Sequence, residues 1–182
     1  MRSLLAGLPI TLLSPADRGL HLNVAEDGNS YAENAAIKAL AFMRASGVAA
    51  LADDSGLEVD ALEGRPGLYS HRFAPWPHAT DADRRAYLLA QLHGIPGPWL
   101  AHFHCTVAIA LPGGELYYAN GDCYGEITSN ERGSHGFGYD PVFYIPENQA
   151  TMAELDDEVK NQISHRARAI QAAIPILKNL LA

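Results

Sequence analysis

The sequence predicts an α/β protein, in which helices and strands alternate along the chain and a strand-rich middle segment forms a mixed sheet with a second lobe. Three observations support this class. Apolar residues recur at helical spacing in three segments, they alternate at strand spacing in several others, and glycine or proline separates these segments. With 182 residues, the chain is long enough for one domain with a substantial core.

The composition limits the classes of function. An apolar fraction of 48% and a charged fraction of 19% are typical of a globular protein rather than a disordered one. The formal net charge of -8 disfavours binding to nucleic acid or to an anionic membrane, which needs clustered Lys and Arg. We expect neither a membrane span nor a secretion signal. Cys105 and Cys123 lack CxxC spacing and indicate a reduced, cytoplasmic protein.

The N-terminal segment is predicted to contain a helix end, a strand and a loop. Residues 1–8 have the pattern of the last turns of a helix, and residues 9–13 have that of a strand. The polar, glycine-containing segment 17–29 is typical of a loop, and it contributes the acidic residues Glu26 and Asp27.

A complete helix is predicted from Ser30 to Ser46, with Gly47 as its end. Ser30 and Glu33 have the spacing of a capping box, in which each side chain accepts a hydrogen bond from a backbone amide at the helix start. Glu33 is therefore expected to be a cap, although a helix N-terminus beside Asp54 also suits phosphate.

Two adjacent aspartates, Asp53 and Asp54, follow a short apolar strand at residues 48–52. We expect them in a turn with Ser55 and Gly56, before an alternating strand resumes at residues 57–62. Neighbouring carboxylates repel each other, and a divalent metal is the usual reason for such a pair, because Mg²⁺ prefers hard oxygen ligands. The alternative is a loop in which one aspartate caps backbone amides and the other is solvated.

The middle of the chain is predicted to hold a second helix, from Thr80 to His93, and the clearest strand, Leu100–Leu111. His102 and His104 would lie on one face of that strand, where two histidines can bind a metal. Because no third ligand follows at matching spacing, we favour the interpretation that this face of the strand is exposed to solvent.

A hairpin turn at residues 112–114 is predicted to lead into strands at 115–120 and 123–127. Residues 134–143 form a glycine-rich segment with aromatic residues. Glycine lets the backbone approach a ligand closely, and an aromatic ring offers a flat face to a base. A capping box at Thr151–Glu154 is expected to begin the C-terminal helix. The basic residues of that helix, considered alone, are typical of a face that is exposed to solvent.

Together these segments resemble the inosine/xanthosine triphosphate pyrophosphatases, a family that hydrolyses non-standard purine nucleoside triphosphates. Order and spacing agree from about residue 24 to residue 170, and several independent motifs in one order form a specific signal. The matching residues are Ser30-Tyr31-Ala32-Glu33-Asn34-Ala35, Lys38, Leu51 to Asp60, Pro66 to Ser70, Arg72, Gly136 to Pro141, Lys160-Asn161 and Ile163 to Arg166.

The resemblance implies one elongated, two-lobed domain over residues 1–182, with a central mixed sheet flanked by helices and an active site in a cleft between the lobes. It also implies a homodimer and a Mg²⁺-dependent reaction. In that reaction ITP, dITP or XTP and water give the nucleoside monophosphate and pyrophosphate, which removes unwanted nucleotides from the pool.

The resemblance also implies roles for single residues. Asp54 would be the general base or metal-held carboxylate that prepares the attacking water, and Ser55 would touch substrate. Phe137 would stack on the base in a pocket shaped together with Gly138, Tyr139 and Asp140.

The purine itself would be recognised by Lys160, His165 and Arg166 under the same resemblance. Arg166 or a protonated His165 can donate a hydrogen bond to the 6-keto oxygen, whereas the amino group of adenine cannot accept one. With ATP in the pocket, these buried donors would have no acceptor, so the site would select against ATP. Asp54 and Glu26 would be the metal ligands.

Two departures from the family pattern matter. The family begins with a strand and a Thr/Ser-Gly-Asn-x-x-Lys-type loop that binds phosphates, whereas Met1–Leu8 matches the helix that follows this loop. We therefore expect about a dozen further residues to precede Met1, and weak triphosphate binding without them. Ala25 occupies the first of two positions that are usually acidic, so Glu26 is chosen as the second metal ligand.

Two functions are considered in addition to the hydrolysis of non-standard purine triphosphates. The missing phosphate loop is compatible with a non-catalytic or degenerate purine-nucleotide binder. Hydrolysis could instead act on modified pyrimidine or guanine triphosphates, which a panel of nucleotides would distinguish.

Overall fold

The computed structural model describes residues 2–181. Within that range the chain forms four α-helices and six β-strands, which confirms the predicted α/β class. The helices are α1 (Tyr31–Ser46), α2 (Asp81–Leu92), α3 (Asp157–Ile163) and α4 (His165–Leu181). The strands are β1 (Ala50–Val59), β2 (Pro66–Gly67), β3 (Trp99–Ala110), β4 (Leu116–Ile127), β5 (Phe143–Ile145) and β6 (Ala150–Thr151). No helix within residues 2–181 combines the length and the apolar character needed to cross a bilayer.

The strands form one sheet in the order β2-β1-β3-β4-β5-β6. Strand β2 runs antiparallel to β1, with Pro66 opposite Glu58 and Gly67 opposite Leu57. At the other end of the order, β5 runs antiparallel to the end of β4, and β6 runs antiparallel to β5.

The chain divides into two compact units, and each unit combines separate stretches of the sequence. The first unit comprises the described residues up to Ser55, then Cys105–Gly121, then those from His165 onward. The second unit comprises Gly56–His104 and Asp122–Ser164. Strands β1, β3 and β4 therefore contribute residues to both units.

The first unit buries both faces of the second half of β3. Successive side chains of a strand point to opposite faces, so two different groups of neighbours cover this segment. One face packs against α4, through Cys105, Val107, Ile109, Ala169, Ile170 and Ala173. The other face packs against α1, through Ala108, Ala110, Ala35, Ala36, Ala39 and Met43.

Gly121 of β4 allows α4 to lie close to the sheet within the first unit. A Cβ atom at this position would lie 2.5 Å from the carbonyl oxygen of His165, which is too close for any other residue. The absence of a side chain at Gly121 thus permits the close approach of the first turn of α4, where two predicted site residues, His165 and Arg166, lie.

The second unit has its own core around β1, α2 and β3. Leu57, Leu88 and Phe143 are fully buried there, and Phe103 is nearly so. The rings of Phe103 and Phe143 pack at a centroid distance of 4.6 Å. Burial of the apolar side of α2 fixes the position of its N-terminal turn, which contacts the glycine-rich loop described below.

Helix α1 confirms the predicted bounds and end. The Ser30 oxygen accepts a hydrogen bond from the Glu33 amide at 3.1 Å, and Gly47 ends the helix in the left-handed conformation, with φ of 71°. The Glu33 carboxylate accepts a hydrogen bond from the Asn29 amide at 2.7 Å. In a capping box this bond would come from the Ser30 amide, so the donor lies one residue earlier than predicted.

The predicted turn at Asp53–Gly56 was wrong, because β1 continues from Ala50 to Val59. Polar residues followed by glycine are typical of turns. Here pairing within the sheet and the burial of Leu57 and Val59 keep the chain extended.

Other boundaries also differ from prediction. Residues 2–7 form successive turns rather than a helix end, and residues 10–13 belong to no strand of the sheet; Met1 lies outside the described residues. Strand β4 runs unbroken where two strands were expected. The Thr151 capping box is present but opens the 3-10 helix Met152–Glu154, and the basic residues divide between α3 and α4.

Candidate active site

The extended course of β1 separates the two adjacent aspartates. Because successive side chains project to opposite faces of a strand, Asp53 and Asp54 have different neighbours. Asp54 contacts α1, whereas Asp53 contacts Arg166 in the first turn of α4. The repulsion expected between the two carboxylates is therefore relieved by separate partners of opposite charge.

Asp54 is nearly buried, with 9% of the residue exposed, and two side chains of α1 contact it. The Lys38 ammonium lies 3.0 Å from Oδ1, and the Asn34 amide donates to Oδ2 at 3.2 Å. Positions 34 and 38 are one helical turn apart, so both side chains extend from the same face of α1. Both oxygens of Asp54 are thus oriented by α1.

The loop before α1 is fixed to the same cluster. The Gly28 amide donates to Oδ1 of Asn34 at 2.8 Å, and a Cβ at Gly28 would lie 2.7 Å from the Cβ of Glu33. Glu26 precedes this contact, and its Oε1 lies 3.2 Å from the Lys38 ammonium. Lys38 therefore contacts both predicted metal ligands, Glu26 and Asp54.

Burial raises the pKa of Asp54 above its ordinary value, and the hydrogen bonds from Lys38 and Asn34 only partly offset this effect. Burial acts to lower the pKa of the Lys38 ammonium. The Asp54 and Glu26 carboxylates outweigh this effect, so the pKa of Lys38 is raised. A raised pKa makes a carboxylate a better proton acceptor, whereas the neighbouring ammonium acts against this rise.

Asp53 has a separate set of contacts. Its Oδ2 accepts a hydrogen bond from Nε of Arg166 at 2.9 Å and a longer one from the Ser55 hydroxyl at 3.4 Å. The Cys105 thiol lies 3.9 Å from the same oxygen, and burial together with Asp53 raises the pKa of Cys105 to about 12. The thiol is therefore not a nucleophile at neutral pH.

His165 and Arg166 occupy the first turn of α4 but differ in exposure. His165 is 9% exposed, whereas the side chain of Arg166 is 38% exposed. Arg166 can therefore reach a ligand while Asp53 fixes its orientation.

A cavity of about 310 Å³ lies in the first unit along β1 and α1. Its lining includes Lys38 and Asp53 together with apolar residues of both elements. The volume is within the range of small-ligand sites.

The residues present fit a magnesium ion. Asp54 and Glu26 offer hard carboxylate oxygens that already lie within 3.2 Å of one shared cation, the Lys38 ammonium. Among the residues that the structure describes, no group of three or more His, Cys, Asp or Glu could hold a metal. Two carboxylates are nonetheless a usual protein contribution for Mg²⁺, which keeps water and substrate phosphate as its other ligands.

The glycine-rich loop of the second unit is closed by an ion pair. Oδ2 of Asp140 lies 3.1 Å from the Lys160 ammonium and accepts a longer bond from the Phe137 amide at 3.3 Å. Gly136, with φ of 85°, lies against both charged groups, and a Cβ there would lie 2.5 Å from the ammonium. Phe137 is 63% exposed. The loop thus combines an exposed aromatic ring with a largely buried ion pair that contacts its backbone.

Gly138 and Tyr139, the next two residues of this loop, are fixed by contacts to other elements of the second unit. The Asp81 carboxylate accepts the Gly138 amide hydrogen at 2.7 Å, and Arg85 donates to the Gly138 carbonyl at 2.8 Å. Tyr139 is buried, and its hydroxyl donates to the Ser70 carbonyl at 2.8 Å. The side chain of Tyr139 therefore supports the loop rather than facing solvent.

The two histidines of β3 are each next to a carboxylate. Nδ1 of His104 lies 2.6 Å from Oδ1 of Asp122, and Nε2 of His102 lies 3.5 Å from Oε2 of Glu58. The face that we expected to be solvated is thus partly buried and paired.

Sequence reasoning missed the roles of Lys38, Asn34, Asp53, Asp81 and Arg85. Lys38 and Asn34 were recognised only as parts of a motif. The spacing of four residues between them, with Asn34 one position after the cap Glu33, was the available signal. No local pattern relates Asp81 or Arg85 to Gly138, which lies more than fifty positions away.

Comparison with known proteins gives a consistent result. The profile of the Ham1 family matches residues 1–176. The dITP/XTP pyrophosphatase of Desulforamulus reducens is 52% identical over 158 residues, which cover 86% of this chain and 78% of that protein. The dITP/XTP pyrophosphatase of Geobacter sulfurreducens is 47% identical over 169 residues, which cover 92% of this chain and 84% of that protein.

Solved structures are similar over most of the chain. The HAM1 protein from Coxiella burnetii has a TM-score of 0.88 and 38% identity, covering 98% of this chain and 91% of that one. The Ham1 protein from Staphylococcus aureus has a TM-score of 0.79 and 40% identity, covering 87% of this chain and 82% of that one.

Proposed function

This chain belongs to the Ham1 family, and we propose on this basis that it hydrolyses non-standard purine nucleoside triphosphates. The substrates are dITP, ITP and XTP, and the products are the nucleoside monophosphate and pyrophosphate. The names of its relatives support this reaction. The observation on which the proposal rests is a buried carboxylate, Asp54, that α1 orients through Lys38 and Asn34.

In this proposal Asp54 is the general base. It accepts a proton from water while the water oxygen forms a bond to the α-phosphorus. The bond between that phosphorus and the oxygen bridging to the β-phosphorus breaks, and pyrophosphate leaves with the bonding electrons. Burial raises the pKa of the Asp54 carboxyl group, which supports its assignment as the proton acceptor.

Lys38 and Asn34 keep the carboxylate oriented, and Lys38 adds positive charge where phosphate charge must be neutralised. Asp54 and Glu26 would hold Mg²⁺, which when bound neutralises phosphate charge and lowers the pKa of water. The two carboxylates on either side of Lys38 support this assignment.

Substrate recognition is proposed for the remaining site residues. The exposed ring of Phe137 stacks on the base, with Gly138, Tyr139 and Asp140 forming the loop that supports it. Lys160, His165 and Arg166 recognise the purine and its 6-keto oxygen, and Ser55 touches substrate. The exposure of the Arg166 side chain and its fixed orientation on Asp53 support the role of Arg166.

We also propose a cytoplasmic homodimer. Cys105 and Cys123 are both buried and reduced, which is usual for a protein of a reducing compartment. The net charge of -8 gives no reason to expect nucleic acid as a partner. Sedimentation equilibrium would give twice the 19.6 kDa chain mass for the homodimer.

The test is pyrophosphate release from ITP and from ATP, with and without Mg²⁺. We expect release from ITP to depend on Mg²⁺ and to exceed that from ATP. Asp54→Asn should lower kcat by about 10²- to 10⁴-fold, the usual range for a lost general base. The matched control is Asp60→Asn, an exposed aspartate that directly follows the same strand, which should retain activity.

Two results would contradict the proposal. Equal turnover of ATP and ITP would overturn the purine specificity. Tight ITP binding without any pyrophosphate release would indicate a nucleotide-binding protein rather than an enzyme.

A further inference from the structure

The backbone of Gly138 is bound from both sides by the N-terminal turn of α2. Its amide donates to Oδ2 of Asp81 at 2.7 Å, and its carbonyl accepts from Nη1 of Arg85 at 2.8 Å. The amide belongs to the peptide that links Phe137 to Gly138, and the carbonyl belongs to the next peptide. The two contacts therefore fix both peptide planes next to the exposed ring of Phe137.

These contacts are themselves supported. Arg84, which is 8% exposed, forms an ion pair with Oδ1 of Asp81 and donates to the carbonyl of Ala79 at 2.7 Å. Arg85 uses Nη2 to contact Glu131 at 2.9 Å. Asp81 and Arg85 thus have little freedom to move away from Gly138.

The position needs such support because of its conformation. Gly138 has φ of 59°, and a Cβ there would meet no atom within 4 Å, so local packing does not restrict this residue. A glycine at positive φ has several accessible conformations. The two hydrogen bonds from α2 are what select one of them.

We propose that Asp81 and Arg85 are positioning residues that fix the Gly138 peptides and thereby hold the Phe137 ring in the orientation that stacks on the purine base. This inference rests on the proposed function. Neither residue needs to touch the substrate. Their contribution is that the stacking surface is already formed before the nucleotide binds, so that binding does not have to order the loop.

The first experiment compares Arg85→Ala with Arg85→Lys and Glu131→Gln, using ITP hydrolysis and thermal unfolding. Arg85→Ala should raise KM for ITP about tenfold, the effect of losing one charged hydrogen bond, with little change in kcat. Arg85→Lys retains a donor for the Gly138 carbonyl and should recover most of this loss. Glu131→Gln removes the ion pair but leaves the contact to Gly138, and its KM should stay within about twofold of the parent.

The second experiment asks whether the effect acts through Phe137. In a double-mutant cycle, Arg85→Ala should add less than about twofold to KM when Phe137→Leu is already present. Asp81→Ala should behave in the same way, while Asp81→Asn keeps an oxygen acceptor for the Gly138 amide and should lose less.

The outcomes separate the inference from the proposed function. A parent protein that releases no pyrophosphate from ITP overturns the proposed function and this inference with it. An active parent overturns this inference alone under any of three results: KM unchanged in Arg85→Ala, the same fold-change with and without the Phe137 ring, or a loss confined to the melting temperature.

Discussion

The ammonium of Lys38 lies 3.0 Å from Oδ1 of Asp54, and both groups are largely buried. The same ammonium lies 3.2 Å from Glu26. Burial raises the pKa of Asp54, whereas Lys38 acts in the opposite direction and favours the ionised form. Among the protein groups, burial and Glu26 raise the proton affinity of the proposed base while Lys38 and Asn34 lower it, and a single substitution removes the contribution of Lys38.

Lys38→Met should move the acid limb of the pH profile of kcat/KM to higher pH. Lys38 lowers the pKa of Asp54, so its loss leaves burial and Glu26, which raise that pKa, opposed only by the hydrogen bond from Asn34. The carboxylate would then be protonated over a wider acidic range, and activity would fall at pH values where the parent is active. The rate of pyrophosphate release from ITP, measured from acid to neutral pH, checks this.

Lys178→Met is the control for the loss of a positive charge, since Lys178 is exposed in the last turn of α4. The acid limb of the pH profile of Lys178→Met should coincide with that of the parent protein. If Lys38→Met left the limb in place or moved it to lower pH, Asp54 would not be the group that titrates.

Asn34→Ala should lower the free energy of unfolding by about 1–3 kcal/mol, the cost of leaving a buried polar group unpaired. Asn34 is 2% exposed, and it joins the Gly28 amide to Oδ2 of Asp54. Urea denaturation measures the change. Asn148→Ala, at an exposed position, is the control and should stay within about 0.5 kcal/mol of the parent. Equal effects of the two substitutions would show that the Asn34 contacts add no stability.

Gly136→Ala and Gly138→Ala should differ although both glycines have positive φ. At Gly138 the added methyl group meets nothing within 4 Å, so only the backbone strain of about 1–2 kcal/mol applies. At Gly136 the methyl group would overlap the Asp140 carboxylate and lie 2.5 Å from the Lys160 ammonium, which adds about 1–3 kcal/mol. Denaturation of both variants checks the order, and an equal loss would mean that the ion pair moves freely.

Arg166→Met should reduce the preference for ITP over ATP. Nε of the guanidinium donates to Asp53, and a guanidinium also carries Nη–H groups of the kind that donate to a keto oxygen. KM for ITP should rise about tenfold, while KM for ATP should hardly change, because adenine has no acceptor at this position. Arg168→Met, at an exposed position of the same helix, should preserve the preference. A parallel rise for both nucleotides would assign Arg166 to phosphate rather than to the base.

The elements of the fold with strong periodicity were predicted well from the sequence. Helix α1 with its Ser30 cap and Gly47 end, helix α2 with its Thr80 cap, and strand β3 all lie within one or two residues of expectation. Local chemistry determines these boundaries. The course of β1 was mispredicted because Ser55 and Gly56 favour a turn in isolation, and sheet pairing overrides that preference.

The candidate site was predictable only in part for a related reason. Resemblance to the family motifs proposed Asp54 and the residues around Phe137 as site residues, because the spacing within each motif is local. The partners that orient them are distant in sequence, as in the contact of Asp53 with Arg166, 113 positions apart. Composition and spacing contain no information on such pairs, which depend on how the elements pack.

Strand β1 places Asp53 and Asp54 on opposite faces, and this makes the number of residues before them critical. Inserting one residue ahead of Asp53 would turn each carboxylate to the other face, away from its cation. Inserting two would restore the faces but displace both groups along the strand by about 7 Å. We therefore expect natural variants to tolerate length changes in the loop before Ala50 and to preserve the residue count from Ala50 to Asp54.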